Sequence, residues 1–364
     1  MKSYRIATIP GDGIGIEVIA EGIRVLDALA ALEGFSLKLK GFDWSSARFK
    51  STGAYIPAGG LAELKTFDAI FFGAVGAPDV PDHVSLWGLR LPICQGFDQF
   101  ANVRPSRVLP GIASPLAAVG KSGKDIDWVI VRENSEGEYS GAGGRVHTGH
   151  PEEVAMEVST FTRAGVKRVH RFAFALARSR PRRHLTLVTK SNAQRHGMVL
   201  WDEVFYEVAK EFPEVVTNRV LVDAMTTVMV LKPGTLDTIV ATNLHADILS
   251  DLAAALSGSL GIAPTANLNP SRKYPSMFEP IHGSAFDIMG QGLANPIGTF
   301  WSCVMLLEHI GEPAAAAMLM AAIEAVTANP ALHTRDLGGN ARTSDVTQAV
   351  CEHVTAPAER RRAA

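Results

Sequence analysis

Short apolar runs that end in a glycine turn or a charged residue, and then pass straight into helical periodicity, recur along this chain. That alternation constrains the fold more than any other feature. Residues 4–9, Tyr-Arg-Ile-Ala-Thr-Ile, lead through Pro10-Gly-Asp-Gly-Ile-Gly into a helical pattern over 17–32. Residues 69–75 lead into a second Gly/Pro turn, and 127–131, 184–189 and 239–242 repeat the theme. Wholly apolar or β-branched runs of this length read as strands, and the 3.6-residue patterns that follow read as helices. Their alternation specifies an α/β class with much parallel sheet.

At 364 residues the chain suggests two domains, at roughly 150 residues each. No internal repeat or low-complexity linker separates them, so the domains are expected to interleave in sequence. The first glycine turn is not a dinucleotide fingerprint. G-x-G-x-x-G requires a third glycine where Ile16 stands, so a tight strand-to-helix turn and a direct ligand contact both remain open for it.

Chemistry concentrates where strands end. In Thr238-Ile-Val-Ala-Thr-Asn-Leu-His-Ala-Asp-Ile-Leu-Ser-Asp-Leu, Asp247 and Asp251 are four residues apart and share a helix face. Two carboxylates on one rigid face suit a hard cation, Mg²⁺ or Mn²⁺; acids favoured near a helix N-terminus are the plainer reading. Arg90, Arg104 and Arg107 are candidate carboxylate clamps. Arg132 and Tyr139 leave the end of one strand, and Lys190 leaves another with Asn192 behind it. A lysine so placed can serve proton transfer or a plain ion pair. Asp223 ends a further apolar segment. The stretch 278–296 is rich in Gly and Pro yet anchored by apolar residues, as an ordered binding loop would be, and there His282 and Asp287 could serve an adenosine group. His147 and His150 read as exposed residues of a protruding arm, and the Arg178, Arg180, Arg182, Arg183 cluster as a solvated helix end.

A formal charge of −2 gives no general attraction to nucleic acid. Cys94, Cys303 and Cys351 have neither zinc nor disulfide spacing, and 314–323 is too short to span a bilayer. The expectation is a cytoplasmic protein with no nucleic-acid and no membrane partner.

Five spaced motifs then coincide: Pro10-Gly-Asp-Gly-Ile-Gly, Phe100-Ala-Asn-Val-Arg-Pro, Val131-Arg-Glu-Asn-Ser-Glu-Gly-Glu-Tyr, Asp247-Ile-Leu-Ser-Asp-Leu and Glu279-Pro-Ile-His-Gly-Ser-Ala. Together they resemble the β-decarboxylating dehydrogenases of 2-hydroxy acids, the isocitrate/isopropylmalate dehydrogenase family, over essentially the whole chain. The resemblance implies the two-domain α/β fold of that family, which is not a Rossmann fold. A discontinuous cofactor domain would comprise 1–98 and 256–364, and a central dimerisation and substrate domain 99–255, with an arm near 140–155. It implies a homodimer whose active sites are shared, with NAD and Mg²⁺ or Mn²⁺ as cofactors and a small dicarboxylate as substrate.

Carried over position by position, Asp247 and Asp251 resemble metal ligands of one subunit, and Asp223 the acid supplied by its partner. Arg104 and Arg132 resemble carboxylate clamps. Tyr139 resembles the proton donor to an enolate, Lys190, also supplied by the partner subunit, the relay for the 2-hydroxyl proton, and Asn192 a neighbour of substrate and nicotinamide. His282, Gly283, Ser284 and Ala285 resemble the adenosine-side loop, with Asn295 beside the adenine. Asp287-Ile288 resembles the NAD-type pair, in which an acid takes the ribose hydroxyls and repels a 2′-phosphate.

The Ser85-Leu-Trp-Gly run is similar to tartrate and D-malate dehydrogenases, with Trp87 filling the space of a larger substituent. The expected substrate is therefore D-malate or tartrate; 3-isopropylmalate and isocitrate are the alternatives. Cys94 stands where relatives carry a clamp arginine, and Arg90, one helical turn away, is the expected substitute. His245-Ala246 replaces the usual Phe-Gly, and Phe286 the usual Pro. A silent regulatory subunit of the same fold is the non-enzyme alternative, but it would not need Asp223, Asp247, Asp251, Lys190 and Tyr139 together.

Overall fold

The structure is a computed structural model that describes residues 2–121 and 123–356. Its strands in chain order are β1 Ser3–Gly11, β2 Ser36–Gly41, β3 Ala69–Ala74, β4 Ala101–Arg107, β5 Asp127–Glu133 and β6 Gly137–Val146. They continue as β7 Val154–Thr160, β8 His184–Thr189, β9 Val216–Leu221, β10 Thr238–Ala241, β11 Pro264–Leu268 and β12 Ser276–Pro280. The chain divides into two compact units. One comprises Met1–Asp98, Arg107–Gly123 and Ala254–Ala364, the other Gln99–Ser106 and Lys124–Ala253.

In the first unit the strand order is β2-β1-β3-β12-β11. All pairings are parallel except β11 with β12. β3 is buried along its whole length, as a strand covered on both faces must be. The helices Gly15–Glu33, Ile297–Ile310, Pro313–Thr327 and Thr343–Thr355 contribute to the core, in which Leu26, Phe71, Phe278, Phe300 and Leu319 are sealed from water. Each such side chain contributes about 1.5–3 kcal/mol. The continuous helical pattern over 297–326 is two helices. Gly311, at φ 87°, caps the first, and Pro313 opens the second. Residues 107–123 belong here and not with the central segment, because Leu109 and Ile112 enter this core and Ser114 Oγ donates to the Leu256 carbonyl at 2.6 Å.

In the second unit the order is β4-β5-β10-β8-β9, with β5, β10, β8 and β9 in parallel register. The helix Arg163–Ser179 turns Val166, Val169, Ala173, Phe174 and Ala177 inward at three- and four-residue spacing, against Trp201 and Phe205 of the helix Gly197–Ala209. The expected arm is a β-hairpin, β6 with β7, and every residue of β7 is exposed. His147 and His150 lie exposed in its turn.

The arginine cluster beyond residue 177 is not simply solvated. Arg180 Nε meets buried Asp237 at 2.5 Å, and Arg182 donates to the carbonyls of Leu236 and Gly234, so both hold the approach to β10. Among the described residues no helix is long and apolar enough to cross a membrane.

Candidate active site

The parallel strands β5 and β10 end side by side, and their carboxyl ends bring the first group of residues together. Ala241 of β10 pairs with Arg132 of β5, and the helix Asn243–Ser257 starts just beyond. Asp247 lies one turn into that helix and collects three donors. Nη1 of Arg132 and Nη1 of Arg104, the latter at 3.3 Å, reach Oδ1, and the Tyr139 hydroxyl reaches Oδ2 at 3.1 Å. The Arg132 guanidinium also lies over the Tyr139 ring, 5.1 Å from its centroid. The side chains of Arg132 and Arg104 are only 2% and 6% exposed, whereas that of Asp247 is 39% exposed. The cations are thus fixed in the protein and the carboxylate faces outward. Partial burial pushes the Asp251 carboxyl up; Asp247 adds to this, and Arg104 and Arg132 oppose it.

Residues that no motif singles out hold this geometry. Asn243 Oδ1 accepts Nε and Nη2 of Arg132, at 2.9 and 2.5 Å, and Asn102 Oδ1 accepts Nε of Arg104 at 2.9 Å. Ser250 Oγ accepts Nη1 of Arg104 at 2.5 Å. Glu138, beside Tyr139 in β6, accepts from Thr242 Oγ1 and from the Leu244 N–H at 2.9 and 3.1 Å. A carboxylate at a helix N-terminus is favoured by the macrodipole, and here it also fixes where Tyr139 stands. Helical spacing could have marked Ser250, one turn from Asp247. Nothing local marks Asn102, Glu138 or Asn243.

The other predicted residues of this unit form a second group at the end of β8. Lys190 Nζ donates to Asp223 Oδ1 at 2.7 Å, and that hydrogen bond holds the Asp223 carboxyl below its usual range. Asn192 is exposed in the turn that follows. Among the described residues no three His, Cys, Asp or Glu side chains are gathered where they could hold one metal ion. Asp247 and Asp251 on one face fit a hard cation as an all-oxygen pair, and ionised Asp223 fits the same chemistry from a separate place.

In the first unit Trp87 and Arg90 lie in a single π-helical turn, Leu86–Arg90. Such turns are frequent at functional sites. Trp87 is 41% exposed. Arg90 is mostly buried: Nε donates to Glu279 at 2.9 Å and Nη2 to Asn267 at 3.3 Å, so its guanidinium is anchored by β11 and β12. Cys94 is buried in the apolar core, which suits a thiol and would not suit a charged clamp. Arg107 pairs with Glu324 and lies over Trp301, so it is a partly exposed structural ion pair.

The glycine turn after β1 supports the loop expected on the adenosine side. A Cβ on Gly13 would lie 1.8 Å from the Ser284 carbonyl oxygen, and the Ile14 N–H donates to that oxygen at 2.8 Å. The Asp12 carboxylate turns inward, accepting from Ser46 and from the Gly76 N–H at 3.0 Å. The turn therefore builds the loop's seat.

Ala285, at φ 37°, and Ile288 pack on Ile14 and Val18; Asp287 and Gly283 are exposed. His282 Nδ1 lies 3.0 Å from the Gly283 carbonyl, while Nε2 is shielded from water and has no partner. Burial holds this imidazole below its usual pKa, hence neutral and able to bond a ligand. Both ends of the Asn295 amide are engaged, Nδ2 donating to Asp336 and Oδ1 accepting the Ile297 N–H, each at 3.0 Å. Asp336 also accepts from Ser259 and Thr334, and sequence reasoning missed it. A buried orphan nitrogen and a glycine-backed seat fit a dinucleotide.

The profile described as "Isocitrate/isopropylmalate dehydrogenase" matches residues 5–350. A "Probable tartrate dehydrogenase/decarboxylase" of Agrobacterium vitis is 65% identical over 355 residues, covering 97% of this chain and 98% of that protein. The "D-malate dehydrogenase [decarboxylating]" of Escherichia coli is 49% identical over 359 residues, covering 97% and 99%. The crystal structure of isocitrate dehydrogenase from Methylococcus capsulatus superposes with a TM-score of 0.87 at 32% identity, covering 97% of this chain and all of that one.

Proposed function

The chain belongs to the isocitrate/isopropylmalate dehydrogenase family, and from that membership we propose that it oxidises D-malate or a tartrate. The reaction would be NAD-dependent and divalent-metal-dependent, with loss of the β-carboxylate as CO₂. The observation that carries this reading is the convergence of Arg104, Arg132 and Tyr139 on Asp247. Two buried guanidinium groups bind a dicarboxylate by charge-assisted hydrogen bonds. The Tyr139 hydroxyl, held beside them, is placed to give its proton to the enolate carbon left when CO₂ departs. Lys190, as the neutral amine, takes the proton of the 2-hydroxyl at Nζ. When bound, a Mg²⁺ or Mn²⁺ ion would supply Lewis acidity at Asp247 and Asp251, and NAD would accept the hydride.

The exposed acid Asp287 supports NAD over NADP, and the unpartnered Nε2 of His282 supports a nucleotide ligand in that loop. The names of the relatives, together with the bulk of Trp87, support D-malate or tartrate over substrates with a larger substituent.

A homodimer with shared sites follows from the same reading, with Lys190 and Asp223 supplied to the partner's Asp247 and Asp251. Exposed apolar side chains on the arm, Val146, Val154, Met156 and Val158, and Ile248 on the aspartate helix, support a second subunit there. The cysteines are thiols, which supports a reducing cytoplasm.

The test is NADH formation by the purified protein with Mn²⁺, offered D-malate, L- and meso-tartrate, 3-isopropylmalate and isocitrate in turn, with NADP⁺ as control. Turnover of D-malate or a tartrate supports the reading. Preference for 3-isopropylmalate or isocitrate contradicts the role given to Trp87.

A further inference from the structure

The first unit contains a cavity of about 270 Å³ that includes none of the residues assigned to substrate or cofactor. That volume suits a ligand smaller than a dinucleotide. Its lining includes Lys65, Arg272, Lys273, Tyr274, Tyr4 and His309. The ammonium groups of Lys65 and Lys273 both lie against the Tyr274 ring, 5.0 and 5.5 Å from its centroid. Each ammonium is favoured by the electron-rich face of the ring, so one tyrosine gathers two cationic side chains at the cavity.

One carboxylate, Asp68, also lines the cavity, its Oδ2 accepting the Arg5 N–H at 2.7 Å, so three cationic side chains face one acid. Glu312 is taken by Lys2 at 3.0 Å and by the Tyr4 hydroxyl at 2.5 Å. The loop is also built for its cations. Asn269 Oδ1 accepts the Lys273 N–H at 3.2 Å, while its amide donates to the carbonyls of Phe97 and Asp98 at 3.0 Å. Arg272 sits at φ 55°, a left-handed conformation that favours glycine. A strained non-glycine residue bearing a guanidinium at a cavity rim is the kind of outlier that marks function.

We propose that this cavity binds a small polyanion, a phosphate ester or polycarboxylate carrying two or more negative charges, through Lys65, Arg272 and Lys273.

The experiment is isothermal titration calorimetry of pyrophosphate, and separately of citrate, into the full-length protein and into its Lys65→Gln/Lys273→Gln and Arg272→Gln variants. The two anions distinguish phosphate from carboxylate ligands. The expected result is one site per chain for at least one of them, weakened tenfold or more in the double variant, with thermal midpoint and dehydrogenase turnover unchanged. Arg104→Gln, which alters the other carboxylate site, should leave that binding intact, and added salt should weaken it. Equal binding by wild type and both cavity variants would overturn the proposal. So would the absence of binding by wild type at millimolar concentrations of either anion. Arg272→Gln serves as the reporter if the double variant does not fold.

Discussion

The amide oxygen of Asn243 accepts two N–H groups of Arg132, leaving Nη1 of that guanidinium to reach Asp247. Asn243 is thereby a positioning residue. Without it a buried cation loses the acceptor that fixes its plane, and hydrogen bonds to charged groups are worth about 1.5–3 kcal/mol. Asn243→Ala should raise KM for the hydroxy acid by about 10–100-fold and leave KM for NAD⁺ unchanged. Asn243→Asp, which keeps the acceptor, should recover most of the loss. Steady-state kinetics on both substrates checks this. Equal rises in both KM values would mean a general structural defect.

Cofactor choice is assigned to Asp287. Asp287 is exposed, and under the proposed NAD dependence its carboxylate would accept ribose hydroxyls and repel a 2′-phosphate. Asp287→Ala should raise kcat/KM for NADP⁺ relative to NAD⁺ by about tenfold, equivalent to about 1.4 kcal/mol. An unchanged ratio would remove Asp287 from the discrimination.

The seat of that loop is a separate matter. Gly13, at φ 58°, has the Ser284 carbonyl where a Cβ would go. Gly13→Ala combines a left-handed strain with a backbone clash. It should cost about 2 kcal/mol or more of stability and raise KM for NAD⁺. Denaturant midpoints and cofactor kinetics report the two effects separately.

In the second unit His170 is fully buried, with neither ring nitrogen hydrogen-bonded, edge-on to Trp201 and Phe205. Burial lowers its pKa from 6.5 to about 3, so the folded protein keeps it neutral. Because the folded value is the lower one, its stabilising contribution is present above pH 6.5 and is lost as pH falls from 6.5 toward 3. His170→Phe removes the group that must protonate. Unfolding free energies measured across this window should fall less steeply for the variant, by up to about 1.4 kcal/mol per pH unit.

The sequence made some of this legible. Arg132, Lys190 and Asp247 stand at or just past the ends of short apolar runs, so the rule that places polar function at strand ends finds them. The two carboxylates four apart were readable from helical spacing alone. Partners distant in sequence were not. Arg90 meets Glu279, 189 residues away, and no local pattern encodes that pairing. A single asparagine or glutamate acceptor has no periodicity to reveal it, and so Asn243 and Glu138 emerge only when the strands are assembled. The glycine turn after residue 9 left a plain turn and a ligand contact both open, and its Asp12 is an internal brace, because the direction of that side chain depends on Ser46 and Gly76.

The most direct test counts products. The protein, stripped with EDTA and then given Mn²⁺, NAD⁺ and D-malate or tartrate, is assayed for NADH and CO₂ together. The account predicts turnover abolished by EDTA and restored by Mn²⁺, with NADH and CO₂ formed in equal amounts from D-malate. Asp247→Asn and Lys190→Ala should each be nearly inactive under the same conditions. Full turnover in EDTA, or by either variant, would contradict it.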